Sequence, residues 1–306
     1  MNILVTGGAG FIGTNLAAYL CNADEFSIRV LDNESLGDRS SLSSFDVEFI
    51  NGDIRNTTDL EDALKDIDVV VHLAADTRVM DSIEYPQKNF DHNVVGSFKL
   101  LNAMREQGVS RLVCASTGGA ILGEVPPPVH EGMVPAPASP YGASKLMLEA
   151  YCSAFSQSFA MSCLALRFSN VYGPHSYHKG SVVAAFIRRI MQGKPLVVYG
   201  DGEQTRDFVF SYDIAQAIRD AILQKDVSGV LQLGTGVPTS VNTIIDLLRE
   251  VAGAEYAVEV EYRDFRRGEL VHTYCDISKA RRIIDYDPKT ELREGIRQTW
   301  EWFQNQ

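Results

Sequence analysis

The chain has 306 residues, of which 45% are hydrophobic and 22% charged, and its net charge is −12 at pH 7. This composition is typical of a globular protein with one large or two ordinary domains. The acidic balance, with both signs interspersed, disfavours nucleic acid and anionic membranes as the main partner. The five cysteines are scattered and show no Cys-x-x-Cys spacing, which predicts a reducing compartment and no structural zinc.

The beginning of the chain and its apolar runs predict where the protein works. A strand pattern starts directly after Met1, which leaves no room for a signal peptide. Apolar runs stay short of the roughly 20 residues that a membrane-spanning helix requires. We therefore expect a cytoplasmic protein that does not insert into a membrane.

A glycine-rich turn joins the first predicted strand, residues 2–6, to a predicted helix over residues 11–21. Gly7, Gly10 and Gly13 allow a tight turn, close approach of the backbone to a pyrophosphate, and close packing of the helix on the strand. The helix N-terminus would then face the phosphates. This context, a strand before the glycines and a helix after them, predicts a dinucleotide site.

An acidic residue follows the second predicted strand, residues 27–31. Asp32 lies close to the roughly 20 positions after the glycine turn at which an acid binds the adenosine ribose. A carboxylate at this position repels a 2′-phosphate, so NAD is favoured over NADP as the cofactor.

Strands and helices alternate through the rest of the first half. Strand patterns cover residues 47–50, 68–73 and 111–115, and helix patterns cover residues 57–65 and 90–107. This alternation predicts an α/β fold with a doubly wound parallel (Rossmann) sheet and ligands at the carboxyl ends of its strands. Asp53 could meet the adenine amino group, and the small Ala74 and Ala75 would let a cofactor approach a strand end.

The segment from Ser139 onward predicts a helix, with Ser139 as N-cap and Pro140 at the first position. Tyr141 and Lys145 are four residues apart and share one helical face. An adjacent ammonium favours the phenolate, which lowers the Tyr pKa from about 10 towards a value useful to a general base. By spacing alone, the pair could equally be a helix-start aromatic and a solvated surface charge.

Two hydroxyl residues, Ser116 and Thr117, follow the strand pattern at residues 111–115. Either could be a second catalytic donor, and a plain Ser/Thr turn is the structural alternative. Six of the eleven prolines then lie between residues 126 and 140. A stiff, non-helical loop therefore leads into Tyr141 and fixes where its helix starts.

Several segments in chain order carry a resemblance to one known family: residues 6–13, 32, 52–53, 72–75, 116–117, 141–145, 167–174, 200–208, 233–236 and 267–269. Together they resemble the extended short-chain dehydrogenase/reductase family, in its nucleotide-sugar epimerase/dehydratase branch. The resemblance covers essentially the whole chain. Acidic residues that serve dehydratases and decarboxylases of this branch are replaced here by Gly118 and Gly119. The sequence therefore looks most like a UDP-sugar 4-epimerase.

The resemblance implies NAD as cofactor, a UDP-sugar as substrate, and a homodimer formed through the helices around residues 90–107 and 141–158. Tyr141 would be the catalytic base. Lys145 would bind the nicotinamide ribose and lower the pKa of Tyr141, and Thr117 would hydrogen-bond the reacting hydroxyl, although Ser116 stays an alternative.

The second half breaks the regular alternation. We expect a cofactor domain over residues 1–168 with a return segment near 209–234, and a smaller α/β sugar-nucleotide domain over 169–208 and 235–306. Asn170 and Arg206 resemble family residues that contact the substrate diphosphate, which a guanidinium suits.

Other residues of the second half are further candidates for the substrate. The loop that contains Lys179 precedes a helix starting at Val182, and such a loop can bind an anion and a base. Arg266 and Arg267 are a second candidate pair for the diphosphate. Thr273 would leave room for a 2-acetamido group on the sugar.

These arguments give three sets of predicted site residues. The catalytic set is Tyr141, Lys145, Thr117 and Ser116. The cofactor set is Gly7, Gly10, Phe11, Ile12, Gly13, Asp32, Asn33, Asp53, Ile54, Leu73, Ala74, Ala75, Tyr141 and Lys145. The substrate set is Thr117, Asn170, Lys179, Val182, Arg206, Arg266 and Glu269. No metal site is predicted, because His175 and His178 lack nearby carboxylate or Cys partners in the sequence.

Two other functions are compatible with these residues. One is a different nucleotide-sugar conversion on the same scaffold, by a dehydratase, decarboxylase or reductase. The other is an NAD-binding protein without activity, since a fold does not by itself imply a function. The joint presence of Thr117, Tyr141 and Lys145 favours an enzyme. The sugar, a hexose, an N-acetylhexosamine or a uronic acid, stays open.

Overall fold

A parallel sheet of seven strands organises the larger part of the molecule, in a computed structural model that describes residues 1–22, 25–265 and 271–306. The strands in these ranges are β1 (Asn2–Thr6), β2 (Ser27–Asp32), β3 (Val47–Asn51), β4 (Val69–His72), β5 (Arg111–Thr117), β6 (Ser162–Phe168), β7 (Asn170–Tyr172), β8 (Leu196–Tyr199), β9 (Thr205–Phe210), β10 (Gly229–Leu233), β11 (Pro238–Ser240), β12 (Val260–Arg263) and β13 (His272–Thr273). The helices there are α1 (Phe11–Leu20), α2 (Thr57–Ala63), α3 (Val79–Glu84), α4 (Pro86–Asn89), α5 (Gly96–Gln107), α6 (Pro140–Phe159), α7 (Val182–Met191), α8 (Ser211–Leu223), α9 (Val241–Ala252), α10 (Ser278–Ile284) and α11 (Leu292–Gln304).

The large sheet has the strand order β10-β6-β5-β4-β1-β2-β3, and its neighbouring strands run parallel. The predicted doubly wound Rossmann fold is therefore confirmed. Strands covered by helices on both faces are continuous apolar runs, and β4 is accordingly buried along its whole length. The chain order reverses between β1 and β4, which is where such sheets bind ligands, outside the strand carboxyl ends.

Two apolar cores lie on the opposite faces of this sheet. Residues of α1, α8 and α10 pack against one face, and residues of α2, α5 and α6 pack against the other. β10 joins the sheet beside β6 from within the segment 209–234. The exact division of the chain into domains stays a prediction.

Short strands and amphipathic helices of the second half form a smaller unit with its own core. β9 pairs with β7, β11 and β13, while β8 pairs with β12. Helices α7, α9 and α11 cover these strands and bury Phe186, Ile245 and Trp300, among others. Within the three described ranges, none of the helices combines the length and apolarity needed to cross a bilayer.

The structure departs from the predicted elements in the first half. The helix predicted over 90–107 is π-helical at Phe90–Val95 and α-helical only from Gly96. In the π-helical segment the Asn93 side chain bonds both the N–H and the C=O of Asp76, at 2.8 and 2.9 Å. Helices α3 and α4 are additional to the prediction, and the helix predicted over 57–65 ends at Ala63.

Candidate active site

The glycine turn after β1 brings main chain close to main chain, as a dinucleotide site requires. Gly7 has φ +72°, and a Cβ atom there would lie 2.5 Å from the Ala74 nitrogen. A Cβ at Gly13 would lie 2.4 Å from the Gly8 Cα, so α1 packs directly on the turn. Gly10 is the N-cap of α1. A glycine has no side chain to occupy the first N–H groups of the helix, which leaves them available to a phosphate.

Asp32 lies at the carboxyl end of β2, where the sequence placed the ribose-binding acid. Its two carboxylate oxygens accept hydrogen bonds from the N–H groups of Ala9 (3.0 Å) and Glu34 (2.8 Å). Burial raises the pKa of Asp32, and these two hydrogen bonds partly offset that effect. The acid is therefore fixed beside the glycine turn.

The other predicted cofactor residues lie at the ends of β2, β3 and β4 and at the start of α1. Asn33 donates to Asp53 at 2.8 Å, and Arg55 donates to both oxygens of the same carboxylate. Hydrogen bonds from Arg55 hold the pKa of Asp53 well below its usual range. Ile54 is buried beside them, Phe11 and Ile12 form the first turn of α1, and Leu73, Ala74 and Ala75 follow β4.

His72 is the last residue of β4. Its ring lies between the hydroxyls of Thr6 (2.7 Å) and Ser97 (2.8 Å). Burial lowers the pKa of His72 to about 3, and the nearby Lys145 ammonium acts in the same direction. A neutral imidazole therefore links the ends of β1 and β4.

Tyr141 and Thr117 meet at the carboxyl end of β5. Tyr141 lies in the first turn of α6, whose N-cap Ser139 accepts a hydrogen bond from the Gly142 N–H at 3.2 Å. Burial raises the pKa of Tyr141 to about 12, and a hydrogen bond with the Thr117 side chain acts against this rise. The two predicted catalytic groups are therefore in direct contact.

Lys145 lies one turn further along the same face of α6 and is buried. Its Nζ donates to the Ala115 carbonyl at 2.9 Å. Burial lowers the pKa of Lys145 to about 8, and the neighbouring Cys114 and Glu149 partly offset this. The expectation that Lys145 lowers the pKa of Tyr141 is not met in this structure, because the burial of the phenol dominates.

Ser116 is a correction to the predicted catalytic set. Successive residues of a strand point to opposite faces, and the Ser116 hydroxyl donates to Glu149 Oε1 at 2.6 Å, within the core. That carboxylate also accepts from Arg167 Nε (2.8 Å) and Nη2 (2.7 Å). Ser116 therefore faces a buried ion pair, and Thr117 is the hydroxyl that reaches Tyr141.

Two supporting residues escaped the sequence analysis. Ser82 of α3 accepts a hydrogen bond from the Tyr141 N–H at 3.2 Å and so fixes the start of α6. Nothing local in the sequence signals that contact. Glu149, by contrast, lies four residues after Lys145, and the repeated spacing from Tyr141 to Lys145 to Glu149 was a usable signal.

A groove in the second half brings three of the predicted substrate residues together. Asn170, Val182 and Arg206 line a cavity of about 330 Å³, together with Gln204 and Phe208. The volume lies within the range of small-molecule sites. The buried Gln204 donates from Nε2 to the Tyr199 carbonyl at 2.7 Å, whereas its Oε1 has no hydrogen-bond partner within the described ranges.

The Arg206 guanidinium is tethered at the mouth of this groove. Its Nη1 donates to the carbonyls of Thr205 (2.9 Å) and Val271 (3.2 Å). The adjacent Asp207 carboxylate is buried and accepts from the N–H groups of Thr235 (2.7 Å) and Gly236 (2.9 Å). Arg206 is therefore held in the cavity lining by bonds to two main-chain carbonyls.

The remaining predicted substrate residues lie elsewhere. Lys179 lies outside the groove lining and reaches Thr77, after β4, with 3.3 Å between Nζ and Oγ1. Burial lowers the pKa of Lys179. Arg266, Arg267 and Glu269 lie outside the described residues.

Small residues follow the catalytic strand. A Cβ atom at Gly118 would lie 2.9 Å from the side-chain oxygen of the buried Gln232, and one at Gly119 would lie 3.5 Å from the Thr273 methyl group. Thr273 therefore lies beside the turn that follows Thr117.

These features fit a dinucleotide whose pyrophosphate meets the start of α1 and whose adenosine ribose meets Asp32. The nicotinamide end would then reach the Tyr141–Lys145 face. A phenol, a hydroxyl and a buried ammonium at that end can remove a proton from an alcohol while its carbon loses hydride.

Comparison with known proteins agrees with this geometry. Residues 3–234 match the profile of the NAD dependent epimerase/dehydratase family. A putative UDP-glucose 4-epimerase of Methanocaldococcus jannaschii is 37% identical over 308 residues, covering 99% of this chain and 98% of that protein.

Solved structures are similar over the full length as well. The Thermus thermophilus UDP-glucose 4-epimerase in complex with NAD is 36% identical, with a TM-score of 0.91 and 99% of both chains covered. The UDP-N-acetylglucosamine 4-epimerase of Methanobrevibacter ruminantium, in complex with UDP-N-acetylmuramic acid, is 33% identical, with a TM-score of 0.92 and 99% and 98% covered.

Proposed function

Because this chain belongs to the NAD dependent epimerase/dehydratase family and is an NAD-dependent UDP-sugar 4-epimerase, we propose that Tyr141, Thr117 and Lys145 perform its chemistry at C4 of the sugar. The observation that carries this assignment is that the side chains of Thr117 and Tyr141 meet at the carboxyl end of β5. That end of the sheet also holds the glycine turn and the small residues after β4.

Tyr141 accepts the proton of the C4 hydroxyl, either directly or through Thr117. Burial raises the pKa of Tyr141 to about 12, so the phenolate needs a positive charge nearby. NAD held by the glycine turn, Asp32 and Lys145 would supply that charge and would serve as acceptor and donor of the C4 hydride. The Lys145 ammonium is held at the Ala115 carbonyl on the same helical face as the phenol, where it would bind the nicotinamide ribose.

Epimerisation requires the 4-keto sugar to present its opposite face before the hydride returns. Arg206 and Asn170 would hold the diphosphate in the groove, while Gly118, Gly119 and Ala120 give the sugar room to turn. This division between a firmly bound nucleotide and a loosely bound sugar is supported by the small side chains beside Thr117.

Product analysis in heavy water tests the reaction. We expect the UDP-sugar and its C4 epimer to equilibrate without deuterium at C4, because the hydride never exchanges with solvent. Deuterium at C4, a stable keto product, release of CO₂ or net consumption of added cofactor would each contradict 4-epimerisation.

The sugar class is the finer part of this proposal. Thr273, a small side chain, lies beside Gly119, and we propose that the site accepts a 2-acetamido group as well as a hydroxyl. Parallel assays with UDP-glucose, UDP-N-acetylglucosamine and UDP-glucuronate test it. Turnover of UDP-glucose alone would refute the proposal.

A homodimer in the cytoplasm is the finer proposal on assembly and location. Phe98 of α5 and Tyr151 and Phe159 of α6 are at least 38% exposed and belong to one aromatic cluster around Phe155. An exposed apolar face of this kind favours a partner, and we propose a second copy of the chain. A solution mass of 33.8 kDa, that of one chain, would contradict it. The scattered, odd cysteines support a reducing location.

A further inference from the structure

A buried ion pair between α6 and β6 takes no part in the chemistry proposed above. The side chains of Glu149 and Arg167 are 6% and 3% exposed, with 2.7 Å between Oε2 and Nη2. Replacing such a pair by apolar residues of similar volume is often neutral or stabilising, because both charges must be desolvated. Stability alone is therefore a weak reason for its presence.

The cluster formed by Ser116, Glu149 and Arg167, here called the Glu149 cluster, joins the elements that bear the active site. Glu149 shares a face of α6 with Tyr141 and Lys145, at intervals of four residues. Ser116 of β5 directly precedes Thr117. Arg167 of β6 is the register partner of Ser116.

The geometry of the cluster is restrictive. Three hydrogen bonds of 2.6 to 2.8 Å converge on Glu149, one from β5 and two from β6. These bonds fix the rotation of α6 about its own axis and its distance from the sheet, close to the catalytic groups. Hydrogen bonds with an ionised partner are the stronger ones.

We propose that Glu149 is a positioning residue of this epimerase, whose bonds to Ser116 and Arg167 hold Tyr141 at hydrogen-bonding distance from Thr117. The proposal rests on the catalytic roles proposed above for Tyr141 and Thr117. Its physical basis is that misplacing reacting groups by about 1 Å can reduce a rate by about a hundredfold.

The charge of Glu149 gives a second, electrostatic effect on Lys145. The groups around this ammonium are Cys114 on β5, His72 on β4 and Glu149 on α6. Glu149 raises the pKa of Lys145 against the effect of burial. Removing the carboxylate alone would also leave the Arg167 cation uncompensated, so Lys145 would lose its proton at a lower pH.

The main experiment removes both charges together. The Glu149→Met/Arg167→Met variant should fold with a Tm close to that of the wild type. We expect kcat to fall by about tenfold to a hundredfold, as for misplaced reacting groups. KM for the UDP-sugar should stay within about twofold, because groove binding is retained. Wild-type kcat in this folded variant would overturn the proposal.

Single variants keep the test decisive should the double variant fail to fold. Ser116→Ala removes one hydrogen bond, retains the ion pair, and should lower kcat by about two- to fivefold, in line with one lost hydrogen bond. Glu149→Gln should move the high-pH decline of kcat to lower pH. An unchanged kcat in Ser116→Ala with an unchanged pH profile in Glu149→Gln would also overturn the proposal.

Cys152→Ala provides the matched control. Cys152 is buried on the same helix, and its sulfur interacts with the thiols of Cys114, at 3.8 Å, and Cys163. This variant should lower Tm and leave kcat unchanged, which separates loose packing from misplacement. Tyr141→Phe separates the proposed catalytic role of Tyr141 from the proposed positioning role of Glu149. An active Tyr141→Phe enzyme would refute the catalytic role. An inactive one, beside a fully active double variant, refutes only the role of Glu149.

Discussion

The two halves of the molecule present different kinds of surface to their ligands. The cofactor half offers main chain at strand ends, where Gly7 leaves no space for a side chain beside Ala74 and Gly10 exposes the start of α1. The substrate half offers side chains on short strands, with Asn170 on β7 and Arg206 on β9. A main-chain site is fixed by the fold, whereas a side-chain site can change without altering it.

This difference suits a reaction in which one ligand stays in place and the other must turn. The Tyr141–Thr117 pair belongs to the cofactor half and should govern the rate of the chemical step. Residues of the groove should govern how tightly the nucleotide is bound. Variants in the two halves should therefore separate into effects on kcat and effects on KM.

Tyr141→Phe should have the largest effect. Loss of the general base should lower kcat by about 10²- to 10⁴-fold, while bound NAD and the Kd for UDP stay near wild type. Steady-state assays and calorimetry measure these quantities. Tyr262→Phe, an exposed tyrosine on β12 of the other half, is the control that should keep full activity. A rise in KM of the same size as the fall in kcat would contradict the proposed separation of kcat and KM effects between the two halves.

Arg206→Gln should have the next largest effect, and on the other parameter. Loss of charge-assisted bonds to the diphosphate, each worth about 1.5 to 3 kcal/mol, should raise KM about tenfold to a hundredfold with kcat nearly unchanged. Arg249→Gln is the control, since Arg249 pairs with Asp246 on the surface of α9. Equal KM values in Arg206→Gln and Arg249→Gln would show that Arg206 does not bind the substrate.

Features that depend on the local backbone could be predicted from the sequence. The strand, the glycine turn, the helix and the acid at the end of β2 all follow from neighbouring residues, so the Rossmann fold and NAD as cofactor could be predicted. The individual cofactor contacts stay a prediction. The hydroxyl pair could not be resolved in this way. Both hydroxyls meet side chains of α6, and only the tertiary contacts show that Ser116 binds Glu149 whereas Thr117 reaches Tyr141.

Long-range contacts account for what the sequence analysis missed in the second half. Asp207 is adjacent to Arg206 in the sequence, yet its carboxylate accepts hydrogen bonds from the distant residues Thr235, Gly236 and Cys275. Strands such as β11 and β13 have three residues or fewer and carry no detectable periodicity. Their pairing with β9 comes from the tertiary structure, and so does the groove.

The smallest expected effect is on stability and concerns the cofactor half alone. The folded pKa of His72 is about 3, below its value of 6.5 in the unfolded chain. The unfolded state therefore binds the proton first as the pH falls. The stabilising contribution is complete above about pH 6.5 and is lost progressively towards pH 3, at no more than about 1.4 kcal/mol per pH unit.

Denaturant unfolding at pH 7, 6 and 4.5 measures this loss against a variant that cannot take up the proton. Between pH 6 and 4.5 the wild type should lose up to about 2 kcal/mol more of its unfolding free energy than His72→Gln does. His130→Gln, at an exposed histidine, should follow the wild type. Hydrogen exchange should locate the acid-induced opening at β1 and β4, because His72 links their ends to Ser97. Parallel slopes in wild type and His72→Gln, or opening first at β9 in the other half, would show that burial of this imidazole does not limit the acid stability of the cofactor half.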